Sequence, residues 1–95
     1  MYASIRKYRV KDAAQIARRI EEDFLSRVRE VPGFGGYYVV GDGSGVLVTV
    51  TLADDQAGAE ASADTAAGWI RENNDVAALI DGSPDVTNGE VLART

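Results

Sequence analysis

The sequence predicts an α+β domain whose elements follow the order βαββαβ. Three observations lead to this prediction. An apolar stripe of helical period runs between residues 12 and 31, two strand-like segments flank a glycine-rich turn at residues 41–45, and an Ala-rich helical segment precedes a last strand. Helical and strand periods therefore alternate along one short chain.

The first strand and the first helix are predicted from periodicity. Residues 2–10 alternate, with Ala3 and Ile5 on one face of the strand and their neighbours on the other. Asp12 begins the helix, and Gln15 three residues later completes a capping-box-like pair. The apolar stripe of this helix consists of Ala13, Ala17, Ile20, Phe24, Val28 and Val31.

The middle of the chain predicts a β-hairpin. Pro32-Gly33 ends the first helix, and residues 34–40 form the second strand. The turn at residues 41–45 contains three glycines, which favours a reversal of the chain into a third strand over residues 46–52.

The last third of the sequence predicts a helix and a strand. Asp54 or Asp55 is expected to cap a helix that runs to about Asn73. Residues 76–80 suit one further helical turn, which Gly82-Ser83-Pro84 ends, and residues 86–94 form the last strand. Right-handed crossovers then place both helices on one face of a four-stranded antiparallel sheet, which is a ferredoxin-like arrangement.

Length and composition favour one soluble domain over residues 1–95, with the cytoplasm as the default location. The chain has no cysteine and no histidine, which removes thiolate chemistry and the commonest ligand of metals and haem. A net charge of −5 argues against a nucleic-acid surface. No apolar run is long enough to span a membrane. We therefore expect no cofactor, no metal, no nucleic acid and no membrane partner.

The strands carry too few charged residues for a sheet with one hydrated face. Residues 34–40 have no charged side chain, and residues 46–52 have only threonines as polar side chains. The second strand also falls at a sheet edge in this topology, where a long apolar strand favours pairing with another chain. Both features predict a homodimer in which two sheets pack face to face.

The segment Arg29-Glu30-Val31-Pro32-Gly33-Phe34, which closes the first helix and opens the second strand, resembles a known family. This family is the dimeric α+β barrel proteins that include the antibiotic-biosynthesis monooxygenases (ABM-like proteins). The glycine-rich hairpin, the acidic start of the second helix and the ending from Pro84 to Leu92 fit the same pattern over essentially the whole chain. The resemblance implies a homodimer whose sheets form a dimeric α+β barrel, with a pocket between each sheet and its helices.

The resemblance also bears on activity. The cofactor-free oxygenases of this family place an asparagine within the third strand and a tryptophan at its end. An ungapped alignment puts Val48 and Leu52 at these positions, and neither side chain can stabilise an oxyanion. The haem-degrading members need a histidine, which this chain lacks. We expect an ABM-like protein that binds a small hydrophobic or aromatic ligand. The alternative is a cofactor-independent monooxygenase or isomerase acting on an aromatic polyketide-like substrate.

Six residues are candidates for lining the ligand pocket: Arg6, Tyr8, Tyr37, Tyr38, Trp69 and Asn88. The tyrosines can donate phenolic hydrogen bonds and Trp69 can stack on a flat ligand, but core packing is the favoured use of both residue types. Arg6 can anchor an anionic ligand, or it can pair with Glu90 across the neighbouring strands or at the dimer interface, and the ion pair is favoured. A pocket and the ordinary polarity of a strand end explain Asn88 equally well.

Two short acidic segments can be considered as metal-binding sites, and neither is favoured. Glu21-Glu22-Asp23 is interpreted instead as a solvated helix face, and Asp54-Asp55 as the start of the second helix, where carboxylates cap free amides.

Overall fold

A computed structural model describes all 95 residues. The first strand, β1, spans Tyr2–Val10, as predicted. The first helix, α1, covers residues 13–28 and consists of Ala13–Arg19, a π-helical stretch Ile20–Phe24, and Leu25–Val28. Asp12 caps it, because its carboxylate accepts a hydrogen bond from the amide of Gln15 at 3.1 Å.

The hairpin strands are β2, Phe34–Gly41, and β3, Val46–Ala53. Asp42 holds the turn between them by accepting hydrogen bonds from the amides of Ser44 and Val46, at 2.8 and 3.2 Å. Gly43 and Gly45 have φ values of 79° and 94°, a conformation that side chains disfavour. Two features therefore stabilise the turn: the hydrogen bonds to the side chain of Asp42 and the glycines that adopt positive φ.

The second helix, α2, spans Gln56–Glu72 and is followed by a short turn of helix, α3, Asn74–Ala77, and by β4, Ile80–Glu90. Of the two possible caps of α2 it is Asp55 that acts, accepting from the amide of Gly58 at 2.8 Å. The four strands form one antiparallel sheet in the order β2-β3-β1-β4. The predicted ferredoxin-like topology, with the second strand at an edge, is confirmed.

The last strand differs from its prediction. It starts at Ile80 rather than at residue 86 and ends at Glu90 rather than at residue 94. Gly82-Ser83-Pro84 does not break it, because the register with β1 shifts between Lys7 and Arg9 and the extra residues form an irregularity there. An edge strand tolerates such a bulge, and Gly82 supplies the positive φ of 73°.

The register also rules out a cross-strand pair between Arg6 and Glu90 within one chain. Arg6 lies opposite Val86, whereas Glu90 lies opposite Tyr2, four residues along β1. The two strands are neighbours, as expected, but the sequence did not give their register, and a change of register moves every partner along the strand.

The core lies between the sheet and the helices. Along α1 the buried residues are Ile16, Ile20, Phe24 and Val28, so Ile16 belongs to the stripe and Ala13 and Ala17 lie at its margin. The remaining members of the cluster come from the strands, from α2 and from α3: Tyr8, Val10, Leu47, Trp69 and Val76.

The two faces of β3 alternate strictly in burial. Leu47, Thr49, Thr51 and Ala53 are buried against the helices, whereas Val46, Val48, Val50 and Leu52 are only half-buried on the opposite face. We call this opposite face of the sheet the outer face. The register places Ile5, Tyr38 and Val40 on it as well, and these three are 38%, 59% and 55% exposed.

None of the helices has both the length and the apolar character needed to cross a membrane.

Candidate functional site

The centre of the layer between sheet and helices is filled by aromatic rings. Phe24 packs edge-on against Tyr37, with ring centroids 5.2 Å apart and planes at 61°, and lies 5.3 Å from the ring of Trp69. The cavity left among these residues is about 20 Å³. A space of that size holds about one water molecule, so no ligand fits there without displacing the core.

Trp69 is a structural residue of this core. It is 4% exposed, and its indole N–H donates to a carboxylate oxygen of Asp23 at 2.7 Å. The guanidinium of Arg19 lies 5.9 Å from the ring centroid. The N–H is thus satisfied within the protein and is not free for a ligand.

The sequence predicted that Asp23 lies on a solvated helix face, and the structure corrects this prediction. Asp23 is half-buried, and besides the indole it contacts Arg27 at 3.4 Å. The hydrogen bond from Trp69, and the charge of Arg27 after it, hold the pKa of this carboxyl below its usual value. Asp23 lies in the π-helical stretch of α1.

The phenol of Tyr37 is part of the same buried region. Burial raises its pKa above the usual value of a tyrosine, while a hydrogen bond to Thr49 and the positive charge of Arg6 act in the opposite direction. The phenol therefore stays protonated near neutral pH and acts as a hydrogen-bond donor rather than as a base.

An open groove lies at the β4 side of this core. It has a volume of about 470 Å³ and runs between β1, the start of β4 and the last turns of α2. We call it the apolar groove, because most of its surface is apolar, with guanidinium groups at two points. Its lining residues are Arg6, Tyr8, Ala67, Ile70, Arg71, Ala77, Ile80, Gly82, Ser83 and Pro84.

A second opening lies on the other side of Arg6, between β1, β4 and the first turns of α2. It has a volume of about 220 Å³ and a mainly polar lining, and we call it the polar cleft. Its lining residues are Tyr2, Ser4, Arg6, Gln56, Ala59, Glu60, Ala63, Asp64 and Asn88. Two buried polar atoms in its wall, Oγ of Ser4 and Nε of Arg6, have no hydrogen-bond partner.

The six residues predicted from the sequence are distributed as follows. Arg6 lines both openings, Tyr8 lines the groove and Asn88 lines the cleft. Tyr37 and Trp69 belong to the packed core, and Tyr38 lies on the outer face, away from the other five. Sequence reasoning missed Ser4, although the alternation of β1 already placed it on the same face as Arg6 and Tyr8.

The structure shows on which face of β3 the two aligned positions lie. Val48 and Leu52 point to the outer face, so they cannot line a pocket between the sheet and the helices. Since side chains alternate along a strand, a shift of one residue exchanges the faces. The helix-facing residues are Leu47, Thr49, Thr51 and Ala53, and none of them is an asparagine or a tryptophan.

Comparison with known proteins identifies the fold. No protein-family model and no curated protein matches the chain. Among solved structures, a protein of unknown function from Nitrosomonas europaea is 20% identical with a TM-score of 0.79, and covers 99% of this chain and 91% of its own.

Two further structures are named as oxygenases. The monooxygenase from the gene ActVA-Orf6 of Streptomyces coelicolor, in complex with nanaomycin D, is 17% identical with a TM-score of 0.72 and covers 98% of this chain and 92% of its own. SnoaB, a cofactor-independent oxygenase from Streptomyces nogalater, is 11% identical with a TM-score of 0.72 and covers 98% and 94%.

The chain is an α+β protein with a ferredoxin-like fold, and it shares that fold with structures described as antibiotic-biosynthesis monooxygenases. The resemblance inferred from the sequence is confirmed at the level of the fold.

Proposed function

We propose that this protein is an ABM-like ligand-binding protein that takes a small, flat aromatic ligand in the apolar groove. The apolar groove is the observation that carries this proposal. Its volume lies in the usual range for small-molecule sites, and Tyr8, Ile70 and Ile80 give it apolar walls. Arg6 and Arg71 supply the few polar groups that orient a ligand.

The groove is favoured over the middle of the core as the ligand site because only the groove has enough room for a ligand. The rings of Phe24, Tyr37 and Trp69 close the core to about 20 Å³, and the dense packing of such a cluster resists insertion. The ligand therefore lies beside the aromatic core rather than inside it.

A binding measurement tests the groove directly. 2-Naphthylmethanol, an uncharged flat aromatic, should shift the amide resonances of Ile70 and Ile80 in a nitrogen-15 NMR titration. Ala67→Leu narrows the groove, and the larger side chain should clash with the ligand. A steric clash of this kind costs about 1–3 kcal/mol, so binding should weaken at least about tenfold. Ala61→Leu, on the exposed side of the same helix, is the matched control. Equal binding by both variants would contradict the groove as the site.

We also propose that the protein functions as a homodimer, with a second copy covering the outer face. Tyr38 and Val40 are more than half exposed, and the valines of β3 lie beside them. A contiguous apolar surface of this kind usually marks an interface. Sedimentation velocity at micromolar concentration should give a mass near twice 10.1 kDa, and a stable monomer would contradict the proposal.

The second candidate function is cofactor-independent oxygenation of an aromatic polyketide-like substrate. Two proteins with this fold are named as oxygenases, and Arg6 and Tyr8 converge on an open groove. Against it, the helix-facing side chains of β3 provide no asparagine or tryptophan. Incubation with an anthrone under oxygen should therefore give little turnover. Rapid oxidation that is lost in Ala67→Leu would favour the enzyme over the binding protein.

A further inference from the structure

The polar cleft has the chemistry of an anion site. We propose that it binds a carboxylate group, which accepts hydrogen bonds from the guanidinium of Arg6 and the hydroxyl of Ser4. The carboxylate belongs either to a small free acid or to a substituent of the aromatic ligand in the apolar groove. Only the second source rests on the proposed function, because Arg6 is the residue that the two openings share.

The first observation is the state of Arg6. It is half-buried, no carboxylate lies within 4 Å of it, and no hydrogen bond is made by its side chain, whose Nε is fully buried. Arg19 and Arg27, in contrast, each contact a carboxylate, at 2.9 and 3.2 Å. A partly buried guanidinium without a partner is unfavourable, and its planar donors match the two oxygens of a carboxylate.

The second observation is Ser4. It is 3% exposed, and its hydroxyl has no partner. Ser4 and Arg6 are two residues apart on β1 and therefore point to the same face. Asn88, directly opposite Ser4 on β4, adds a side-chain amide to the same wall. Donors from two neighbouring strands thus converge on the cleft, and an acceptor from a ligand satisfies them.

The third observation is the space above these donors. Ala59 and Ala63 of α2 face the cleft with small side chains, so the helix does not fill it. Its volume of about 220 Å³ is many times that of the cavity in the core, which is about 20 Å³. This space accommodates a carboxylate with a few attached carbons, but it is smaller than a typical pocket for a drug-sized molecule.

Two acidic residues on α2 set the charge at the rim. Glu60 accepts a hydrogen bond from the side-chain amide of Gln56 at 2.9 Å, and Asp64 is exposed. These two carboxylates would attract a cation. The polar groups of the cleft that have no hydrogen-bond partner, however, are the donors Ser4 and Arg6 on the sheet. The unsatisfied chemistry of the cleft therefore calls for an anion, and the acidic rim lowers its affinity.

Three probes separate the two openings. Propionate has only the carboxylate, 2-naphthylmethanol has only the flat aromatic, and 2-naphthoate has both. In nitrogen-15 NMR titrations propionate should shift Ser4, Arg6 and Asn88. 2-Naphthoate should bind about tenfold more tightly than 2-naphthylmethanol, because a charge-assisted pair replaces a neutral contact.

Variants identify the groups responsible. Arg6→Gln should abolish the response to propionate and remove the advantage of 2-naphthoate, and Ser4→Ala should reduce that advantage about threefold. Glu60→Gln is the matched variant in the same cleft, and it should strengthen propionate binding because it removes a repelling charge. Thermal unfolding of each variant checks that the fold is retained.

The outcomes distinguish this inference from the proposed function. If 2-naphthylmethanol binds but propionate does not, and 2-naphthoate has no advantage, the carboxylate site is refuted while the groove stands. If propionate binds but 2-naphthylmethanol does not, the groove is refuted while the carboxylate site stands. An advantage that survives Arg6→Gln, or propionate binding that weakens in Glu60→Gln, overturns the assignment of the cleft.

Discussion

The two faces of β3 carry opposite kinds of side chain. The face that packs against the helices includes two threonines, Thr49 and Thr51, whereas the outer face is built from three valines and Leu52. A lone subunit with one hydrated face should show the reverse pattern. The difference indicates that helices of the same chain cover the helix face, apart from the openings beside Arg6, and it supports the proposal that a partner covers the outer face.

The helix face gains its stability from aromatic packing rather than from the strands alone. Phe24 is 1% exposed and contacts both Tyr37 and Trp69. On the outer face no aromatic cluster forms, and Tyr38 remains 59% exposed. The two faces should therefore respond differently to substitution, one through folding and the other through association.

The largest effect is expected from a charge on the outer face. Val50→Lys should raise the dissociation constant of the proposed dimer more than about 100-fold, since an unpaired buried charge costs about 3–5 kcal/mol and a symmetric interface would contain it twice. Sedimentation velocity measures the change, and circular dichroism should show the fold retained. Ala61→Lys, on the exposed side of α2, is the control. A dimer that persists in Val50→Lys would contradict the role of the outer face.

The next effect belongs to the helix face. Phe24→Ala should lower the free energy of unfolding by about 3–5 kcal/mol, because it leaves a cavity where three rings now meet. Urea unfolding followed by circular dichroism measures this loss. Leu25→Ala, at the adjacent half-buried position, should cost clearly less. Similar losses for the two variants would mean that the aromatic cluster does not organise this face.

Much of this fold could be predicted from the sequence because its local signals agree. Asp12 with Gln15, the glycines after Asp42, and the acidic residue before α2 each form the cap or turn that their chemistry favours. The order of the strands then followed from the handedness of crossovers. The start of β4 was missed, because glycine and proline mark both a chain break and a bulge in an edge strand.

The candidate site was harder to predict, because its parts are distant in sequence. Trp69 and Asp23 are 46 residues apart, and nothing local indicates that the indole N–H is already bonded. Hydropathy could not show which face of β3 packs against the helices, since neither face carries a charged side chain. The alignment named Val48 and Leu52 without assigning them a face, and the structure places both on the outer face. Arg6 was among the predicted candidates and lines two openings, but these openings depend on small residues of α2 that are distant in sequence.

The contact between Trp69 and Asp23 makes the helix face sensitive to acid. The folded protein has a lowered pKa at Asp23, so the stabilisation is present above the unfolded pKa, near 3.8, and is lost as pH falls through the lower folded value. Asp23→Asn keeps an acceptor but removes this titration, and it should flatten the decline of stability below about pH 4. Urea unfolding at pH 3 and pH 6 measures the difference.

Glu22→Asn is the matched control for that experiment, since Glu22 is exposed at the adjacent position and the indole N–H donates to Asp23. It should leave the acid dependence nearly as it is in the parent protein. An unchanged decline in Asp23→Asn would show that other carboxylates govern acid sensitivity.

The smallest effect is expected at Ser4, whose buried hydroxyl on the helix face has no hydrogen-bond partner. A buried hydroxyl without a partner is unfavourable, so Ser4→Ala should raise the free energy of unfolding by about 1 kcal/mol while it weakens carboxylate binding. Ser62→Ala is the comparison, because that buried hydroxyl donates to the carbonyl of Gly58 at 2.9 Å. Its lost bond, about 1 kcal/mol, offsets the better helix propensity of alanine, so it should not gain. Stabilisation at Ser4 alone would indicate a position kept polar for binding, and destabilisation there would show that the hydroxyl is already satisfied.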